Sequence, residues 1–146
     1  MKTKTLKIII DVLLLILLLL SLFSSRDGHV IRHIIEGTLF TILAVLHVFI
    51  NRKWLTSVGK KIISGKTKGN VKLQYGIDIL LIAVWGFSII TGFLAMGFSV
   101  WGIESYFGFI RMHGVSARLG ILLIIVHIIQ HRKHIISYFK SFKMKG

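Results

Sequence analysis

Apolar residues in this chain come in long runs rather than in strict alternation or isolated clusters. Crossing the roughly 30 Å hydrocarbon core of a bilayer takes about 20 residues of helix, and four runs are long enough, at about 6–23, 30–50, 75–98 and 112–130. Short links at 24–29 and 99–111 and a longer polar stretch at 51–74 separate them, and a basic tail follows at 131–146. The pattern predicts an all-α protein, a four-helix transmembrane bundle made of two hairpins joined by one basic loop. The first run opens on lysines as a secretory signal does, but no small-residue cleavage pattern follows it, so it reads as a retained span. A single integral membrane domain over 1–146 is expected.

Composition narrows the chemistry. Hydrophobic residues make up 54% of the chain and charged residues 16%, which leaves too little polar surface for a water-soluble domain. Cysteine is absent, which excludes disulfides, thiolate zinc sites, protein-ligated iron–sulfur clusters and covalent c-type haem attachment. Proline is absent too, so the spans run unbroken.

The net charge of +14 is informative through its placement. Of 19 Lys and Arg, 15 lie in the N-terminal turn (Lys2, Lys4, Lys7), the 51–74 stretch and the tail. The positive-inside rule assigns those segments to the cytoplasm, predicting an N-in/C-in topology with helices two and four parallel. Charge so placed is a topology and lipid-headgroup signal, and no nucleic-acid partner is expected.

Four of the seven histidines fall inside spans: His33 and His47 in helix two, His113 and His127 in helix four. Each pair is 14 residues apart, which sets the two rings about 21 Å apart along the axis and on one helix face. With helices two and four parallel, His33 and His113 share an outer level, and His47 and His127 an inner one. Small residues line the same stripes: Gly37 and Ala44 between the first two histidines, Ala117 and Gly120 between the second two. Such residues are also the ordinary contact of packed membrane helices. The two histidine segments repeat with an offset of 80 residues, continuing through His47-Val-Phe-Ile-Asn-Arg-Lys53 and His127-Ile-Ile-Gln-His-Arg-Lys133. Helices one and three echo each other through Ile10-Asp11 and Ile77-Asp78.

A single intramembrane histidine is most simply an interhelical hydrogen bond, but four at matched spacing point to a functional site. Two imidazoles per site, with no thiolate or carboxylate in the pattern to complete a tetrahedron, suit axial ligation of haem iron better than a bare ion. The metal ligands expected are therefore His33, His47, His113 and His127. Two alternatives stand beside this reading: a His-based transition-metal transport or storage protein, and a structural membrane anchor whose histidines are interhelical glue.

The pattern resembles the haem-bearing core of the cytochrome b subunits of quinol-oxidising bc complexes. Over roughly 6–134 it is similar to a family of small bacterial four-helix membrane cytochromes, the flavinylation-associated cytochromes. The pieces that carry this likeness are His33-x₃-Gly37, His47-x₃-Asn51-Arg52-x-Trp54, Thr91-Gly92 and Arg111-x-His113-Gly114 ahead of His127. The resemblance implies two b-type haems, a place in the bacterial cytoplasmic membrane, electron exchange with quinone, and an FMN-bearing extracytoplasmic redox partner. The Pro-Glu-Trp-Tyr motif of the bc subunits is missing, so their bifurcating chemistry is not implied. Whether the chain converts quinol itself or only carries electrons is left open.

Several other residues have two readings. Arg32, Arg111, Arg52 and Arg132 flank the histidine levels, either to meet haem propionates or to anchor the interface. Arg118 lies within the fourth span and is expected to pair with a propionate or with Glu36. Glu36 is also a candidate for a proton path. Asp11 and Asp78 are read mainly as carboxylates favoured near helix N-termini, and secondarily as proton carriers for quinone. Trp54, Trp85, Trp101 and Tyr106 are read as belt aromatics, Trp85 deep enough to pack on a macrocycle. His29, His131 and His134 are expected to be wet, with His131 on the face of His127.

Overall fold

The structure is a computed structural model that describes residues 2–102 and 106–143, with side chains placed for 5–102, 107–133 and 135–137. The side chains of Lys2, Lys4, Tyr106, His134, Lys140 and Lys143, and the whole of Lys145, lie outside the described residues. The fold class is all-α, as expected: α1 (Lys2–Arg26), α2 (Val30–Ile63), α3 (Gly69–Val100) and α4 (Tyr106–Lys143). No strand occurs among the described residues.

All four helices outrun their apolar runs. The stretch at 51–74, expected as a loop, is mostly helix: α2 continues to Ile63 and α3 starts at Gly69, so only 64–68 connect them. The apolar run marks the hydrocarbon segment, whereas helix continues wherever proline is absent and Lys, Leu and Gln keep propensity high. Two helix ends stop for a local reason. Gly28 and Gly65 take φ of 75° and 70°, left-handed values that glycine adopts without a Cβ clash. The amide of His29 then reaches back to the Ser24 carbonyl (2.9 Å), and that of Lys66 to the Lys61 carbonyl (3.0 Å). This six-to-one closure satisfies carbonyls that the helix end would otherwise strand.

The chain divides into two compact units, Met1–Ser57 and Val58–Gly146. In the first, α1 packs antiparallel on the first part of α2, with Lys7 bonded to Asn51 near one end and Ser24 to Glu36 near the other. In the second, α3 packs antiparallel on α4, with Gln74 reaching the Gln130 carbonyl and Ser88 meeting His113. The end of α2 joins this unit at Gly59, where an added Cβ would lie 2.9 Å from the Tyr75 hydroxyl.

Among the described residues few apolar side chains are buried: Ile10, Leu18, Phe40, Val58, Ala95 and Leu123. Polar ones are buried beside them: Ser24, Glu36, Asp78, Ser88, Thr91 and Ser116. Large aliphatic side chains instead point outward along every helix, as at Leu19, Ile42, Ile90 and Leu122. Apolar outside and polar inside is the arrangement a lipid solvent rewards, because exposed polar groups are costly there and exposed aliphatics are not. All four helices are long and apolar enough to cross a membrane, which makes this a multi-pass membrane protein.

Candidate functional site

Each intramembrane histidine is held through the same ring nitrogen by the other helix of its hairpin. In the first unit, His33 Nδ1 lies 2.9 Å from the Ser21 carbonyl oxygen and 3.0 Å from Ser21 Oγ. His47 Nδ1 lies 2.7 Å from Asp11 Oδ1. In the second, His113 Nδ1 lies 2.9 Å from the Ser88 carbonyl oxygen and 3.3 Å from Ser88 Oγ. His127 Nδ1 lies 2.7 Å from Asp78 Oδ1. Carbonyl and carboxylate oxygens only accept, so Nδ1 carries the proton and donates at all four positions. In the neutral ring this leaves the lone pair on Nε2.

The repeat is thus wider than the histidines. An offset of 67 relates Asp11 to Asp78 and Ser21 to Ser88 on α1 and α3, as an offset of 80 relates the histidines on α2 and α4. Both hairpins therefore build a serine-held and a carboxylate-held imidazole. Asp11 and Asp78 are not explained as helix N-terminal carboxylates, since each lies nine residues past the start of its helix and neither first turn contains an acid. A helix terminus acts over about one turn. The histidine bond is what holds these acids.

The Thr91-Gly92 pair acquires a role here. Thr91 Oγ1 donates to the Ser88 carbonyl (3.0 Å) and to the Phe87 carbonyl (2.9 Å), anchoring the turn that receives His113. Gly92 leaves room for the ring itself: a Cβ there would lie 3.0 Å from His113 Nδ1 and 3.1 Å from Cε1. The small residues on the histidine stripes are less uniform. Gly37, Ala44 and Ala117 are half-buried, and a Cβ on Gly37 would only touch Ser21 Oγ at 4.0 Å. Gly120 faces the Trp85 indole, which sits where a Cβ would come within 2.8 Å of it. The space beside Gly120 is filled from within its own hairpin.

The two carboxylate-held sites differ in their surroundings. In the first, Asp11 is 50% exposed, and Asn51 donates to the His47 carbonyl (2.9 Å) and, more weakly, to His47 Nε2 (3.4 Å). Lys7 Nζ in turn donates to Asn51 Oδ1 (2.7 Å). In the second, Asp78 is 10% exposed and its other oxygen lies 3.6 Å from His131 Nε2. The His127 and His131 rings stand 4.6 Å apart. Asp78, His127 and His131 thereby bring three possible ligand atoms within 4.8 Å of one another. His131, expected to be wet, is half-buried against Asp78, because i+4 spacing carries it onto the His127 face.

Several of the charged residues that flank the histidines have local partners. Glu36 is taken within its own hairpin, accepting from Ser24 Oγ (2.6 Å) and from Arg32 Nε (2.8 Å). Arg118 is exposed and makes no ion pair among the described residues. Arg32 and Glu36 lie one turn apart on α2. Arg111 is exposed and borders an apolar groove of about 560 Å³ between α3 and α4, lined also by Phe87, Met112, Val115 and Leu119. Arg52 lies over the Phe49 ring at 4.1 Å, and Arg132 donates to the Ile129 carbonyl.

No protein-family model, curated protein or solved structure matches the chain.

Proposed function

We propose that the chain is a b-type membrane cytochrome with two bis-His haems, carrying electrons between the quinone pool and an extracytoplasmic flavoprotein or comparable redox partner at the bacterial cytoplasmic membrane. One observation carries this reading: four intramembrane imidazoles, in two repeats, each have Nδ1–H tied to a fixed acceptor. A ligating histidine needs its second nitrogen tied in this way, because the bond sets the tautomer, orients the ring and raises the basicity of the ligating nitrogen. Mere interhelical glue has no need to present the same nitrogen four times. The donor set is neutral imidazole without thiolate, which fits axial ligation of haem iron.

On the sequence expectation that helices two and four run parallel, His33 and His113 would serve one haem and His47 and His127 the other. Bound haem supplies reversible one-electron chemistry. The chain's own residues do the rest: Ser21 and Ser88 orient one pair of rings, and Asp11 and Asp78 the other. The exposed guanidinium groups of Arg111 and Arg118 offer charge for propionates. Quinone and the flavin-bearing partner rest on the family resemblance, and the cytoplasmic assignment of the Asp11 and Asp78 side on the placement of Lys and Arg.

Purified protein is expected to show a reducible b-type spectrum, and His33→Ala or His127→Ala to abolish one of its two components while leaving the other. Loss of neither component in any of the four single-histidine variants rules the reading out. The cluster of Asp78, His127 and His131 favours a second reading, a divalent transition-metal site. It predicts stoichiometric zinc, copper or nickel on colourless protein, lost in His131→Ala.

A further inference from the structure

The two levels of imidazole are held by acceptors of different charge. At His33 and His113 the Nδ1 proton meets a neutral serine carbonyl and hydroxyl; at His47 and His127 it meets a carboxylate at 2.7 Å. A hydrogen bond to an anion is roughly twice as strong as one between neutral groups. It draws the proton further from the ring and gives the imidazole imidazolate character. Nε2 then becomes the stronger donor and favours the more positively charged, ferric state of an iron bound to it.

From this, and resting on the di-haem reading, we infer that Asp11 and Asp78 are tuning residues: a haem iron held by His47 or His127 takes a lower potential than one held by His33 or His113. An electron shared between the levels then settles at the serine-held one. The asymmetry is built into both hairpins, so it survives whichever imidazole dominates at a given iron.

The neighbouring charges grade the two carboxylates. Asp11 is half exposed, and the cationic Lys7, bonded to Asn51 beside His47, stands one turn before it in the sequence of α1. Asp78 is shielded, at 10% exposure, and the repeat places the neutral Gln74 at the position equivalent to Lys7. His131 shares the second oxygen of Asp78 but at 3.6 Å, well beyond the 2.7 Å of the His127 bond. Field strength falls with exposure to solvent or headgroups, so Asp78 is the larger lever.

The test is a redox titration of the full haem-loaded chain in lipid nanodiscs, followed optically and by the low-spin ferric signals in electron paramagnetic resonance. Asp78→Asn keeps an acceptor at Nδ1 and removes the charge. It is expected to raise the potential of the lower component and leave the upper unmoved; Asp11→Asn is expected to raise the same component by less. Movement of the upper component instead, or of neither, overturns the inference. Should Asp78→Asn fail to retain haem, Asp11→Asn decides by the same criteria. A purely structural role for the acids would lower haem content without moving the potential of what remains. Wild-type protein that folds without haem overturns the function proposed above, a result distinct from two haems whose potentials ignore the acids.

Discussion

A histidine inside a bilayer is defined by what its second nitrogen touches, and here that partner lies across the hairpin. Ser21, Asp11, Ser88 and Asp78 are each fixed on a neighbouring helix, so the rings they hold have one tautomer and little freedom to turn. Gly92 belongs to the same arrangement. Gly92→Val would drive Cβ to 3.0 Å from a ring already pinned by Ser88. Overpacking of this kind costs about 1–3 kcal/mol, so the variant should unfold earlier than wild type in detergent when followed by circular dichroism, and should lose haem at the His113 level first. An unchanged melting curve and haem content would show that the ring has slack. The histidines were legible in the sequence because 14-residue spacing is a property of one helix. Their partners were not, because which residue of α1 faces His47 depends on the register of a hairpin, and periodicity within α1 carries no such information. One signal was available: Asp and Ser recur ten residues apart in both α1 and α3, Asp11 with Ser21 and Asp78 with Ser88.

At the scale of the element, the two hairpins share a plan but distribute side-chain volume differently. The first buries Leu18 on α1 and Phe40 on α2; at the equivalent positions the second has Trp85 on α3 and Gly120 on α4. Bulk has moved from one helix to its neighbour, and the Trp85 indole fills the place a Gly120 side chain would take. Gly120→Phe alone should therefore destabilise α3–α4 by overpacking, and Trp85→Leu alone by leaving a cavity. The double variant, which copies the first hairpin, should recover most of both losses; additive losses in a double-mutant cycle of detergent unfolding would show that the two sites are uncoupled. A small residue on the histidine stripe reads alike whether a cofactor or a tryptophan lies over it, which is why Gly120 was ambiguous from sequence. The turns are simpler. Gly28→Ala places a Cβ in the left-handed region at a cost of about 1–2 kcal/mol, so a lower unfolding midpoint is expected, and an unchanged one would mean that the turn adopts another path. Helix length was understated by the apolar runs because helix propensity does not stop where hydrocarbon does.

For the molecule as a whole, the distribution of Lys and Arg predicts which side each connection faces. The chain has no cysteine, so single introduced cysteines report location cleanly. Ser64→Cys, in the α2–α3 connection, should resist an impermeant thiol reagent in intact cells and react once the membrane is opened. Ser25→Cys, at the end of α1, should react from outside. The reverse pattern would invert the topology and with it the assignment of the carboxylate-held histidines to the cytoplasmic side. Whether the four imidazoles hold haem is tested by a pyridine haemochrome assay on purified protein with independent protein quantitation. Two haem b per chain are expected. Protein that keeps its helical circular dichroism yet yields no haemochrome would contradict this.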